Sequence, residues 1–170
     1  MQAPAAPADV GVLLNAAQDG HIDRVHELLG EGGVDVNGAD DQGFTALYCA
    51  SQGGHAALVD MLLEAGAAVD QAHKNGFTPL LIASQGGKLE VVKVLIEAKA
   101  AVNQAREDGA TPLHMASQEG KLEVVTTLIE AGAAIDQTTK DGRTAIYMAS
   151  QEGTPPSSRC SSTPAPVPPI

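Results

Sequence analysis

The sequence is poor in several residue types that mark large classes of protein. Its 170 residues include no tryptophan, and Phe and Tyr contribute only two residues each. The two cysteines cannot build the disulfide framework on which small secreted domains depend. With so few rings, a core has to be filled by Leu, Val, Ile and Ala, which suits thin and closely spaced helices. These absences favour a helical protein of a reducing compartment.

Lysine and arginine are also scarce. They number 10 against 21 Asp and Glu, which leaves a net charge of −11. This balance argues against a nucleic-acid surface, which needs basic residues to displace counterions, and against binding to anionic membranes. The apolar runs fall far short of the roughly 20 residues that a membrane span requires. Residues 1–9 lack the basic and apolar regions of a secretory signal, so we expect an intracellular protein, cytoplasmic or nuclear.

An internal repeat runs through most of the chain. Four segments align without a gap, and their threonines, Thr45, Thr78, Thr111 and Thr144, are spaced by 33 residues. An earlier copy at 13–21 is displaced by one residue, because the pair Gly32-Gly33 adds a residue. A fixed period of this length indicates stacked units that share a continuous core.

Each copy predicts two short helices joined by a turn. A threonine N-cap followed by proline, as at Thr78-Pro79 and Thr111-Pro112, begins the first helix. The second helix places its apolar residues on one face, at i, i+3, i+6 and i+7: Ile22, Val25, Leu28, Leu29; Ala56, Val59, Leu62, Leu63; Leu89, Val92, Leu95, Ile96; Leu122, Val125, Leu128, Ile129.

A glycine follows the second helix in three of the copies, at Gly33, Gly66 and Gly132. The chain must leave the helix there in a left-handed conformation, which glycine adopts without strain. Lys99 occupies the same position in the remaining copy. We predict that Lys99 is left-handed as well, at a cost of about 1 kcal/mol.

No group of residues predicts catalysis or metal binding. The five histidines fall in separate helices and loops, without a cysteine at ligand spacing: His21, His26, His55, His73 and His114. The glycine pairs predict turns, because no Gly-Lys-Ser/Thr element follows them. Cys49 lies on a first helix beside Ala50, and this position predicts that its thiol is partly buried. We therefore expect no catalytic residue, no metal, no cofactor and no small-molecule substrate.

The pattern resembles the ankyrin repeat, whose helix–turn–helix unit carries a Thr-Pro-Leu-His-x-Ala signature. Residues 111–116 match all of that signature, whereas the other copies lack the Pro, the His or both. The resemblance implies a mainly α solenoid with projecting β-hairpin loops and a concave face formed by hairpins and first helices. It also implies structural hydrogen bonds for His21 and His55, at the start of second helices, and for His114 near the cap Thr111.

The same alignment predicts the organisation of the chain. Residues 1–8 form a small-residue leader broken by prolines, and 154–170 are rich in Pro and Ser, so we expect both to be disordered. The repeat domain between them, 9–153, divides into units at 9–38, 39–71, 72–104, 105–137 and a partial unit at 138–153.

The partial unit has a first helix without a second. We therefore expect its apolar side chains to stay uncovered and part of the preceding apolar stripe to be less shielded: Ile146, Met148 and Ala149; Val125, Leu128 and Ile129.

In proteins with this repeat, partners are held by the hairpin tips and the exposed side of the first helices. The resemblance therefore implies tip residues Asp41, Gln42, Phe44, Lys74, Asn75, Phe77, Glu107, Asp108, Lys140, Asp141 and Arg143, and first-helix residues Tyr48, Leu81, His114 and Tyr147. Phe44 and Phe77 occupy equivalent tips. They serve either as exposed binding anchors or as packing between neighbouring hairpins.

The leading hypothesis is a non-enzymatic protein–protein interaction module or adaptor. Because the chain is acidic, its partner is expected to be another protein that is neutral or basic at the contact. An alternative remains open, namely that the chain is a fragment of a larger enzyme or channel in which the repeats serve targeting or regulation.

Overall fold

The structure, a computed structural model, describes residues 7–30 and 33–151, and of residues 7–9 and 151 it defines the backbone only. Within these ranges the chain forms nine α-helices: α1 (Pro7–Gln18), α2 (Ile22–Gly30), α3 (Ala46–Gly53), α4 (Ala56–Glu64), α5 (Pro79–Gln85), α6 (Leu89–Glu97), α7 (Pro112–Gln118), α8 (Leu122–Glu130) and α9 (Ala145–Gln151).

The predicted leader and tail fall largely outside these ranges. Residues 1–6 and 152–170 lie beyond the described residues, and with them the expectation of disorder there. Helix α1 nevertheless begins at Pro7. Residues 7–8, assigned to the leader, are therefore helical, as the tolerance of proline for a helix N-terminus allows.

The first helices begin where the threonines predict. The side chain of Thr45 accepts a hydrogen bond from Tyr48 N–H at 3.2 Å, and Thr78 accepts one from Leu81 N–H at the same distance. Thr144 accepts from Tyr147 N–H at 3.3 Å. These bonds satisfy backbone donors that a helix N-terminus otherwise leaves unpaired. The prediction of threonine caps is confirmed.

The second helices end as predicted too. Gly66 and Gly132, which follow α4 and α8, have φ of 92° and 90°, and Gly33 after α2 has φ of 61°. Lys99 after α6 has φ of 66°, the one non-glycine residue with positive φ in the described residues. The left-handed prediction for Lys99 is confirmed.

The helices stack in two rows around a continuous core. The first helices α1, α3, α5, α7 and α9 each pack on the next, and in the second row α4 packs on α6 and α6 on α8. Equivalent leucines of the first row, Leu47, Leu80 and Leu113, are no more than 2% exposed. The fold is mainly helical, as the repeat predicts.

The loops between units turn back on themselves above the first helices. In the first of them, Asp40 N–H donates to the Phe44 carbonyl at 3.2 Å and Gly43 N–H to the Asp40 carbonyl at 2.9 Å. Ala39 and Thr45 form an isolated antiparallel bridge, and the described residues contain no regular strand. These turns are consistent with projecting hairpins, whose β character remains a prediction.

Helix α9, the last helix among the described residues, carries apolar side chains at the surface. Ile146 is 72% exposed although it is equivalent to the buried Leu113, and Ile129 of α8 is 47% exposed. Ala149 is exposed, while Met148 and Val125 are half-buried. Leu128, however, is fully buried, so the expectation of weaker shielding is wrong there. Leu128 belongs to the common core of the stack and does not depend on a following helix.

Candidate functional site

Four turns form one line along the edge of the stack, and we call them the tip row: residues 40–44, 73–77, 106–110 and 139–143. Each turn is closed by a bond from its first N–H to its last carbonyl, as in His73 to Phe77 at 3.1 Å. Two bonds also join neighbouring turns, from Lys74 N–H to the Gln42 carbonyl at 3.0 Å and from Lys140 N–H to Asp108 at 2.8 Å. Backbone bonds thus join the first tip to the second and the third to the fourth.

The tip row exposes most of the side chains that the resemblance implies. The two residues at the outermost positions of each turn are polar or charged and lie on the surface: Asp41, Gln42, Lys74, Asn75, Glu107, Asp108, Lys140 and Asp141. Arg143 is exposed as well. The fold therefore presents these predicted residues along a single edge of the stack.

Three predicted first-helix residues do not lie on the surface. Tyr48 is 5% exposed, and Leu81 and His114 are 0% exposed, so the expectation that they line an exposed helix face is wrong. Each is the third residue of its helix, and helical side chains lean toward the helix N-terminus. They therefore lie against their own tip and the following one. The fourth member, Tyr147, is 47% exposed.

His114 shows what these buried positions do. Its Nδ1 lies 2.8 Å from Thr111 Oγ1, and its Nε2 donates to the Arg143 carbonyl at 3.1 Å. The ring thus ties the cap of α7 to the next tip. The structural role that the resemblance implies for His114 is confirmed.

His55 has a similar role two units earlier. Its Nε2 donates to the Gln18 carbonyl at 2.9 Å and so joins the start of α4 to the end of α1. The structural prediction for His55 is confirmed, whereas the side chain of the equivalent His21 is exposed.

An aromatic stack runs through the first tips. The His73 ring lies 4.9 Å from Phe44 and 5.1 Å from Tyr48, and it stacks on Phe77 at 5.5 Å with an interplanar angle of 8°. The Arg106 guanidinium lies over the Phe77 ring, 4.8 Å from the ring centroid. Phe44 and Phe77 are half-buried. Their geometry supports packing between hairpins over the reading as free anchors.

Electrostatics in this stack follow from burial and pairing. Burial lowers the pKa of His73, against a smaller opposing effect of the Asp40 carboxylate. Asn75 N–H donates to His73 Nδ1 at 3.0 Å, so that nitrogen carries no proton. At the next tip, hydrogen bonds from Arg106 hold the pKa of Asp108 at about 2. The stack thus combines an imidazole whose charged form is disfavoured by burial with an Arg106–Asp108 ion pair.

The structure also places the Cys49 thiol and the residue types that could bind a metal. Cys49 is 8% exposed, and burial, followed by the charge of Asp40, raises the pKa of its thiol to about 11. Its predicted partial burial is confirmed. In the described ranges, no three His, Cys, Asp or Glu side chains are grouped so that they could hold a metal ion. None of the helices described is both long and apolar enough to cross a membrane.

Sequence reasoning missed a set of residues that join the repeats. Asn37 Oδ1 accepts from Ala68 N–H at 2.7 Å, and its Nδ2 donates to the Gly66 carbonyl at 3.3 Å. Two units later, Asn103 makes the same two bonds: it accepts from Ala134 N–H and donates to the Gly132 carbonyl. The signal was available, because an Asn or Asp follows a β-branched residue in every copy.

Comparison with known proteins agrees with the repeat pattern. A family model described as ankyrin repeats (3 copies) matches residues 13–106, 53–139 and 98–157, which together span most of the chain. A search of the curated proteins finds no match.

Proposed function

The chain belongs to the ankyrin-repeat family, and we propose that it is a non-enzymatic adaptor that binds another protein through its tip row. Ankyrin repeats generally mediate contacts between proteins, because stacked units create an extended surface whose loops vary without disturbing the core. The observation that carries the proposal is the line of exposed side chains at Asp41, Lys74, Glu107 and Lys140. Backbone bonds join the first tip to the second and the third to the fourth, and Arg106 packs over Phe77 between the second and third.

The partner is a protein with a neutral or basic contact face. The chain has a net charge of −11, which attracts basic surfaces and repels acidic ones. The tips themselves carry both signs, since Lys74 and Lys140 alternate with Asp41 and Glu107. Among basic partners, this alternation favours those whose own charges align with the alternating charges of the tips. An intracellular setting fits the free, buried thiol of Cys49.

A pair of charge reversals tests the tip row. The variant Asp41→Lys/Glu107→Lys reverses two exposed tips, and the control Glu64→Lys/Glu97→Lys makes the same change in net charge at exposed ends of α4 and α6. All three proteins are used for affinity capture from cells that express the chain, followed by quantitative mass spectrometry.

We expect partners captured by the wild type to be retained by the control and to fall about tenfold with the tip variant. Equal loss with both variants would mean that net charge alone drives capture. Equal retention by both would place the interface away from the tips.

A further inference from the structure

A pocket opens between α1, α3 and the first turn of the tip row. Its volume is about 310 Å³, and it is lined by Gly11, Leu14, Asn15, Gln18, Asp40, Phe44, Cys49 and Gln52. This volume is at the low end of the range of about 300–1,000 Å³ that small-ligand pockets occupy. It suits one large side chain with its adjacent backbone better than a cofactor.

Two features of α1 create the pocket. The helix has 12 residues, whereas the other first helices have 7 or 8, so its extra turn runs beside the first tip. In that turn stands Gly11, and a β-carbon added there would meet no heavy atom within 4 Å. A glycine inside a helix costs about 0.5–1 kcal/mol relative to alanine. Because Gly11 lines the pocket, a bulky residue at this position would stand at the pocket's edge.

The lining defines the chemistry of an occupant. Leu14 and the Phe44 ring provide apolar contacts, and Asn15, Gln18 and Gln52 carry carboxamides. A carboxamide both donates and accepts hydrogen bonds, as a peptide backbone does. Such a mixture matches an extended peptide that inserts one apolar side chain.

The only charged residue that lines the pocket is acidic. Asp40 lines it and Asp41 follows directly, while no lysine or arginine is among the lining residues. Asp40 Oδ1 accepts the N–H groups of Gln42 and Phe44, at 2.9 and 3.0 Å, which fixes the carboxylate in place. A positively charged side chain beside the inserted residue would complement it.

We infer that the pocket receives one bulky aliphatic side chain from an extended segment of the partner protein, with a lysine or arginine of that segment set against Asp40. This inference rests on the proposed function and names the kind of partner segment that the N-terminal end of the concave face recognises.

The test uses a phage-displayed library of random 12-residue peptides, selected on the full chain. Binding of the enriched peptides is then measured to the wild type, to Gly11→Leu, which closes the entrance, and to Gly30→Leu. The control position Gly30 lies in α2, and a β-carbon there also meets nothing within 4 Å. Leucine favours a helix over glycine, so both variants should melt no lower than the wild type.

We expect the enriched peptides to share a bulky aliphatic residue within two positions of a lysine or arginine. Their affinity should fall at least about tenfold with Gly11→Leu and remain unchanged with Gly30→Leu. Asp40→Asn, which keeps an acceptor oxygen for the turn, should remove the preference for the basic residue.

Several results would overturn the inference. They are the absence of any enriched peptide, enrichment of acidic peptides, and peptides that bind Gly11→Leu as well as the wild type. A synthetic peptide of residues 154–170 serves as a second probe, and its capture by the wild type but not by Gly11→Leu would assign the pocket to the chain itself. If the inference about the pocket is wrong but the proposed function is right, partner capture will still depend on the tip charges.

Discussion

Lys99 holds a backbone conformation that side chains with a β-carbon avoid. Its φ is 66°, and the equivalent Gly66 and Gly132 adopt the same left-handed region at the ends of α4 and α8. The cause is the repeat itself, because each second helix must end at the same point for the next tip to join the row. Lys99 therefore stores local strain of about 1 kcal/mol.

Lys99→Gly should relieve this strain and stabilise the stack. We expect the free energy of unfolding to rise by about 1 kcal/mol and the melting temperature by roughly 2–8 °C. Thermal unfolding followed by circular dichroism measures the change. The reciprocal control is Gly132→Lys, which has open space for the side chain and should lose a similar amount. An unchanged midpoint for Lys99→Gly would show that the left-handed backbone carries no strain.

His73 makes the stability of the stack depend on pH. Burial lowers the pKa of His73 from its usual 6.5, so the unfolded chain binds a proton more readily than the folded one. The charged groups that face the ring are the Asp40 carboxylate, which opposes the shift, and Arg106 beyond Phe77. Stability is thus highest above the unfolded pKa and falls as the pH drops through it toward the folded pKa.

Urea unfolding at pH 7.5 and pH 5.5 tests this dependence. We expect the wild type to be less stable at the lower pH, and His73→Phe, which keeps a ring in the stack, to lose less stability between the two. His26→Phe, at an exposed position of α2, is the control and should behave like the wild type. Identical pH dependence in all three proteins would mean that His73 titrates freely.

Single residues also show where sequence reasoning stops. The cap threonines and Lys99 could be predicted, because their roles depend on local backbone geometry alone. The burial of Tyr48, Leu81 and His114 could not, because the side chain at that position is covered by a tip that comes later in the chain. Only the resemblance implied the structural role of His114. Their burial depends on how closely neighbouring units approach, which composition does not reveal.

At the scale of elements, the loops after the second helices link one unit to the next. Asn37 and Asn103 each accept a backbone N–H and donate to the carbonyl of the left-handed glycine. Asp70 stands at the same position between them and accepts from Ala101 N–H at 3.0 Å. A carboxylate has no proton to donate, so the equivalent bond to the Lys99 carbonyl is missing.

Asp70→Asn should restore that bond. We expect a gain of about 1 kcal/mol in the free energy of unfolding, from one hydrogen bond added between units. Chemical denaturation at pH 7 measures it, and Asn103→Asp is the matched control, which should lose a comparable amount. No gain from Asp70→Asn would show that the second bond of Asn37 and Asn103 contributes nothing to stability.

The elements were largely predictable and their side-chain contacts were not. A period of 33 residues and one apolar stripe per unit predict the helix pairs, because burial of that stripe requires them. Packing of His73 on the Phe44 ring, and of Arg106 over the Phe77 ring, joins different tips. It depends on the exact spacing of the tip row, for which the sequence carries no signal.

For the whole molecule, the C-terminal end of the stack should be the least stable part. Helix α9 has 7 residues, too few to hold itself in water, and Ile146 on it is 72% exposed. We expect backbone amides of α9 to exchange much faster than those of α6. Ile146→Ala should cost less than about 0.5 kcal/mol, whereas Leu80→Ala at the equivalent buried position should cost about 2–5 kcal/mol. Exchange in α9 as slow as in α6 would mean that something covers this end.

We propose that one edge of the stack, the tip row, receives a partner protein while the second helices stay free. Hydrogen–deuterium exchange of the chain, alone and saturated with a partner captured by the wild type, tests this binding mode. We expect slower exchange in residues 39–45, 72–78 and 105–111 on binding, with no change in α4, α6 and α8. Slower exchange confined to α4, α6 and α8, with the tips unaffected, would contradict it.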